Sequence, residues 1–321
     1  MPYLYVIFDT NAYISLSPPS LNHLLARSQQ HSVVGLASFW VAQELLAHVA
    51  TQDDQRRFRR AWAAVRKLVA HCSHYDGHRN VVRFVGDSEN TTSRVLFGRG
   101  VPDEYDNSED YGALLGIIAT ADSPAVWRGS QAALDDIRTT VLTAERAFAD
   151  HMWQSIIVPL APNAETWQAL SKNPEMREAL RTRFGSPASL RLAATALVDG
   201  MAARLGLTLD AARREATIQH ALNVIPTPIH FLRAVAYKVA IDGYDLSLDR
   251  NANSLWDLQF AYSTSTQADI NGSPLWAISA DELLLKTARE TNSSRVFRDL
   301  ANFVALLEQP TQLVLDELNA R

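Results

Sequence analysis

The chain of 321 residues has a single cysteine, Cys72. One thiol excludes an intrachain disulfide and any multi-cysteine zinc or iron–sulfur centre. Long apolar runs are also missing, since the longest, Gly112 to Ala119, is too short to span a bilayer. No positive stretch precedes the first apolar run, so Leu4 to Phe8 reads as a strand and not as a signal peptide. The expected location is the cytoplasm, with no membrane partner. Positive charge is not in excess either: 30 Lys and Arg face 35 Asp and Glu, a net charge of −5. Any nucleic acid must then be held by a local basic patch and not by an overall field. There is no internal repeat and no low-complexity tract. What is present, 47% apolar and 20% charged residues, is the composition of a globular chain with a real core, in one large or two ordinary domains.

Tyr3-Leu4-Tyr5-Val6-Ile7-Phe8 is continuously apolar and rich in β-branched and aromatic residues, the pattern of a strand buried on both faces of a parallel sheet. A helix follows from Pro18-Pro19 to about Gln29, then a short strand over His31 to Leu36 and, with Ser38 as N-cap, a helix over Phe39 to Ala50. This order opens an α/β layer fold. From Asp53 the pattern becomes helical over 53–72, 109–121, 130–152, 164–183, 187–205, 208–222 and 228–241, with Val81 to Val85 the one further strand candidate. Strand character returns only at Pro274 to Ile278, between a helix from Ser254 and another from about Asp281. The sheet-forming pieces lie at the two ends of the chain. The expected organisation is an α/β domain in two parts, 1–52 and 246–321, split by a large all-helical insertion over 53–245.

Four acids stand out. Asp9 directly follows the first strand, where open α/β sheets gather ligands, although Asp9-Thr10-Asn11 also suits an Asx-type turn. Glu44 shares a helix face with Trp40, Val41 and His48, at the edge of a buried stripe. Ser254 and Asp257 have capping-box spacing, as do Ser279 and Glu282, which flank Asp281. Each acid has a structural explanation by itself. Their joint placement argues for a cation, because carboxylates gathered in one cleft raise one another's pKa. Oxygen-only ligands suit Mg²⁺ or Mn²⁺, which can activate a water for phosphodiester hydrolysis.

The strand-Asp9-Thr10-Asn11, the helix-borne Glu44, Trp256-Asp257-Leu258 opening a helix, and the strand-Ser279-Ala280-Asp281 together resemble the four motifs of PIN-domain nucleases. The resemblance covers about residues 3–50 and 250–292. It implies a three-layer α/β/α PIN-like parallel sheet and a metal-dependent ribonuclease. In that reading Asp9, Glu44, Asp257 and Asp281 are catalytic metal ligands, and Asn11 and Ser279 are supporting polar groups. The separation of Glu44 from Asp257, 213 positions, departs from compact members and leaves Asp110, and more weakly Asp249, as rivals for the third acid. By family analogy the chain is a toxin or defence effector, with an inhibitory protein partner or a second copy of itself as further partners. The rival reading is a catalytically silent PIN-like module that binds RNA or protein. A haloacid-dehalogenase-type phosphohydrolase needs Asp-x-Asp and meets Asn11 instead.

On a helical wheel Arg56, Arg59, Arg60, Arg66 and Lys67 fall within an arc of about 120°, opposite Phe58, Trp62, Val65 and Val69. This stripe is the expected contact for RNA, with DNA second, unless it is a solvated face balanced by Asp53 and Asp54. His71-Cys72-Ser73-His74 with His78 fits no standard zinc spacing, and Phe97-Gly98-Arg99-Gly100 reads as a turn and not a phosphate loop.

Overall fold

The computed structural model describes residues 3–51, 54–75, 80–86, 88–100, 108–186, 188–248, 251, 253–263, 269–270, 273–294 and 296–319. Its strands are β1 (Leu4–Phe8), β2 (Val33–Leu36), β3 (Ser73–Tyr75), β4 (Asn80–Val82), β5 (Asp269–Ile270), β6 (Ser273–Ser279) and β7 (Phe297–Asp299). Four of them form a parallel sheet in the order β2-β1-β6-β7, with Val6 opposite Gly35 on one side and Trp276 on the other. β5 pairs antiparallel with the start of β6, and β3 with β4 make a separate antiparallel pair. β1 is central, and its Leu4, Val6, Ile7 and Phe8 are fully buried, as a continuous apolar run requires.

The first four helices are α1 (Thr10–Ser15), α2 (Pro18–Gln30), α3 (Phe39–Ala50) and α4 (Gln55–Cys72). Pro18 and Pro19 open α2 because the first helical positions need no amide donor, and the Ser17 hydroxyl takes the free amide of Ser20. Every residue of α3 is buried, the outcome expected of a helix apolar nearly all round. Ser38 stands at its N-cap without a side-chain bond. α4 buries Phe58, Ala61, Ala64, Val65 and Leu68 and packs against α3, α1 and β2. The α4 end comes so close to β2 that a Cβ on Gly35 would lie 2.6 Å from the His71 carbonyl oxygen. Only glycine fits there. No described helix is long and apolar enough to cross a membrane.

The chain divides into two compact units, Met1–Asp87 with Glu104–Val141 and Gln267–Arg321, and Ser88–Asp103 with Leu142–Thr266. This differs from the boundaries read from sequence. Both α4 and the helix Ser108–Thr120, expected in the insertion, belong to the sheet unit, because their apolar faces close on each other and on α3. Conversely, the helix Ser254–Tyr262, expected beside the sheet, groups with the second unit. Within that unit Trp256 Nε1 donates to Glu145 at 2.8 Å and Gln259 Nε2 to Glu89 at 3.0 Å. The second unit is built on the helices Pro174–Phe184, Ala188–Arg204, Ala211–Val224 and Pro226–Asp242, which enclose Leu180, Phe184, Val198, Phe231 and Val235. The helix expected over 164–183 is broken at Asn173-Pro174, where Asn173 caps a new helix. The strand expected at Val81 to Val85 is the shorter β4 plus a single bridge from Phe84 to Ala37, and β7 is an additional strand.

Candidate active site

Asp9 sits where β1 ends and is 3% exposed. It is the N-cap of α1, its Oδ1 taking the Ala12 amide at 2.5 Å. Its Oδ2 accepts the Ser279 hydroxyl, and the Ala280 amide at 3.3 Å. The parallel pairing of β1 with β6 brings these residues together, since it continues through the Asp9 amide to the Ile278 carbonyl at 3.0 Å. Burial pushes the Asp9 carboxyl up to about 7 despite the hydrogen bonds from Ser279 and Ala12, and the charge of Asp281 pushes the same way. Asp281 is half-buried and caps the helix Glu282–Glu290 through the Leu284 amide at 2.8 Å. Ser279 is therefore not the cap of that helix, as a capping box with Glu282 would make it. Its hydroxyl lies at the strand end, donating a hydrogen bond to Asp9 and accepting one from the Asp281 amide at 2.9 Å.

Glu44 is 5% exposed on α3. Its Oε2 accepts the Thr10 hydroxyl at 2.5 Å, so the residue after Asp9 ties the second acid to the first. Its Oε1 lies 3.6 Å from His48 Nε2. The same nitrogen is 3.3 Å from Nη2 of Arg57 on α4. A guanidinium only donates, so this contact uses the ring lone pair and leaves no hydrogen there for Glu44. Oε1 of Glu44 and Oδ2 of Asp281 thus face no donor among the described residues. Thr10, His48 and Arg57 are site neighbours that sequence reasoning did not assign; the spacing of Glu44 and His48, one helical turn, was the available signal.

The remaining residues read from sequence fall elsewhere. Asn11 is exposed on α1 and makes no hydrogen bond to Asp9. Asp257 is half-buried in the first turn of Ser254–Tyr262, in the second unit, and the N-cap of that helix is Asn253 rather than Ser254. Asp110 is exposed in the first turn of Ser108–Thr120, in the sheet unit. Its neighbour Tyr111 lies against α3, 4.8 Å from the Phe39 ring and accepting from Gln43 at 3.4 Å. Asp249 lies outside the described residues. Among the described residues no three His, Cys, Asp or Glu side chains are grouped so as to hold a metal ion.

The basic stripe of α4 is not uniform. Arg56, Arg59 and Arg60 are exposed and make no ion pair with described residues. Arg66 instead donates to the carbonyls of Ala119 and Ala121 at 3.2 and 2.5 Å, and its guanidinium stacks 4.6 Å from the Trp62 ring. Lys67 donates to the Tyr13 and Ile14 carbonyls at 2.7 and 3.3 Å. Asp54 caps α4 through the amides of Arg56 and Arg57, and Asp53 lies outside the described residues. His71 and Cys72 are buried against the Tyr13 hydroxyl at 3.0 and 3.2 Å, while His74 faces the Gly35 carbonyl at 3.1 Å. Burial pushes the Cys72 thiol up to about 12, which keeps it protonated and unreactive. His78 lies outside the described residues. Gly98, at φ 74°, closes a turn after the helix Ser88–Phe97, as the sequence suggests.

Compared with known proteins, the chain matches no family model, no curated protein and no solved structure.

Proposed function

We propose that the chain is a metal-dependent nuclease, an endoribonuclease of PIN-like type, in which a three-layer α/β/α unit is interrupted by an inserted helical unit. The observation that carries this reading is the Asp9 carboxyl, buried at a strand end, pushed up to about 7 and faced by a second acid instead of a cation. Such a group destabilises the protein without a counter-charge, and perturbed acids of this kind cluster at functional sites. By chemistry Asp9, Glu44 and Asp281 suit Mg²⁺ or Mn²⁺, since they offer hard oxygens only, and an ion would have to draw together side chains that are not grouped among the described residues. The resemblance names Asp257 as a further ligand, and its rival Asp110 lies in the same unit as the other three acids. When bound, the ion supplies an activated water and charge stabilisation for phosphodiester hydrolysis. Ser279 and Thr10 hold the orientation of Asp9 and Glu44, and the exposed arginines of α4 attract the RNA. In this reading the chain works in the cytoplasm as a toxin or defence effector under an inhibitory partner.

The test is cleavage of single-stranded RNA by the purified protein with Mn²⁺ and with EDTA. Asp9→Asn should retain the fold by circular dichroism and lose metal-stimulated cleavage by at least about 100-fold, the scale of a lost charge-stabilising group. Undiminished cleavage by the variant removes the assignment. The second reading, a catalytically silent PIN-like module, is favoured by the lack of a three-acid group among the described residues. RNA binding with neither Mn²⁺ uptake nor cleavage by the unaltered protein would establish it.

A further inference from the structure

Arg57 is the half-buried member of the arginine cluster that opens α4, and the sequence-derived basic stripe omits it. Its Nη2 reaches His48 Nε2 at 3.3 Å, and that ring atom is 3.6 Å from Glu44. His48 is 9% exposed, so the guanidinium is held against a nearly buried acceptor that adjoins Glu44. No carboxylate among the described residues pairs with Arg57; the nearest contact with Asp54 is through the Arg57 backbone amide at 3.0 Å. Four of its five donors therefore remain for a ligand. A planar guanidinium with free donors near Glu44 suits a phosphodiester oxygen, which it can grip in a bidentate fork.

The rest of α4 narrows the path to this residue. Arg66 and Lys67 already satisfy carbonyls at the ends of neighbouring helices, so they are held as structural ties. Arg56, Arg59 and Arg60 remain exposed on the same end of the helix as Arg57. We propose that Arg57 is the phosphate-gripping residue of the site, positioned by His48, and that a single RNA strand reaches it along Arg56, Arg59 and Arg60 alone. This rests on the nuclease reading and names the groups through which that site takes its substrate.

The experiment is fluorescence anisotropy of a labelled single-stranded RNA oligonucleotide on the full chain in EDTA, over a range of salt, alongside cleavage in Mn²⁺. Each single-strand phosphate contact contributes about 0.7 to the slope of log affinity against log salt. Arg57→Ala should weaken binding roughly tenfold and lower that slope by about 0.7, and the triple variant Arg56→Ala, Arg59→Ala, Arg60→Ala should lower it by about 2. Arg66→Ala and Lys67→Ala should lower the melting temperature and leave the slope unchanged. His48→Gln keeps an acceptor for Arg57 and should restore the binding that His48→Ala loses. Unchanged binding by folded Arg57→Ala, while the unaltered protein binds and cleaves RNA, overturns the proposal and leaves the nuclease reading standing. An unaltered protein that neither binds nor cleaves RNA overturns both. A loss of slope on duplex DNA but not on RNA overturns the choice of substrate.

Discussion

Two buried acids, one in each unit, are surrounded in opposite ways. Glu89 in the helical unit is 3% exposed, and it is met by the Arg204 guanidinium and by the Gln259 amide. Asp9 in the sheet unit is equally buried, yet its charged neighbour is Asp281, and its bonds come from neutral donors only. The first arrangement is what a fold does to neutralise a carboxylate it has buried. The second leaves a buried carboxyl beside another acid at a strand end, which costs stability whenever Asp9 is ionised. What separates Asp9 from Glu89 is the raised carboxyl and the neighbouring acid, not burial.

The largest expected effect sharpens the contrast by finding which acid completes the Asp9 set. Asp257→Asn and Asp110→Asn are compared in the Mn²⁺-stimulated RNA assay, and one of them should fall by roughly 100-fold or more while the other stays within about threefold. Equal, small losses in both would show that the set ends with Asp9, Glu44 and Asp281. Next in size, Glu89→Ala should lower stability in urea by about 2 kcal/mol, because Gln259 and Arg204 lose a charge-assisted acceptor. Cleavage per folded molecule should hold. A loss of cleavage without a loss of stability would erase the distinction between the two acids.

The effect that is smallest per pH unit concerns the proton on Asp9. Its folded value, about 7, lies above the ordinary 3.8, so the folded state binds more protons than the unfolded one between those limits. The unaltered protein then loses stability as pH rises through this window, whereas Asp9→Asn has nothing to ionise. The stability difference should move in the variant's favour from pH 4 to 7, by at most about 1.4 kcal/mol per pH unit. Urea titrations of both proteins at several pH values, without divalent ions, measure it. A difference independent of pH would mean that Asp9 is compensated after all, as Glu89 is.

The parts of this picture that could be read from sequence are those that local pattern encodes. β1 announces itself because a strand covered on both faces must be apolar throughout, and the placement of Asp9 and Asp281 just past strands follows from where the apolar runs stop. The amphipathic pattern of α4 shows that one face is buried but not against what, so its membership in the sheet unit appears only in the packing on α3 and β2. β7 is not legible in the sequence because it is three residues long and carries Arg298, which stacks 4.5 Å from the Trp276 ring and pairs with Glu317. The bond from Ser279 to Asp9 joins positions 270 residues apart, and no spacing rule reaches that far. Hydroxyl partners such as Thr10 for Glu44 are set by tertiary register, which is why a capping box was the nearest local account of Ser279.

That same long-range bond has a consequence for synthesis. β1 is made shortly before β2 on one side, but β6 on its other side and the hydroxyl that locks Asp9 come 270 residues later. At about 5–20 residues per second the wait is on the order of 15–50 s. Throughout that interval the Asp9 corner has no Ser279 and no Asp281, so the acids assemble only when translation has passed them. Asp9 therefore meets Ser279 and Asp281 only after every residue of the second unit has been made.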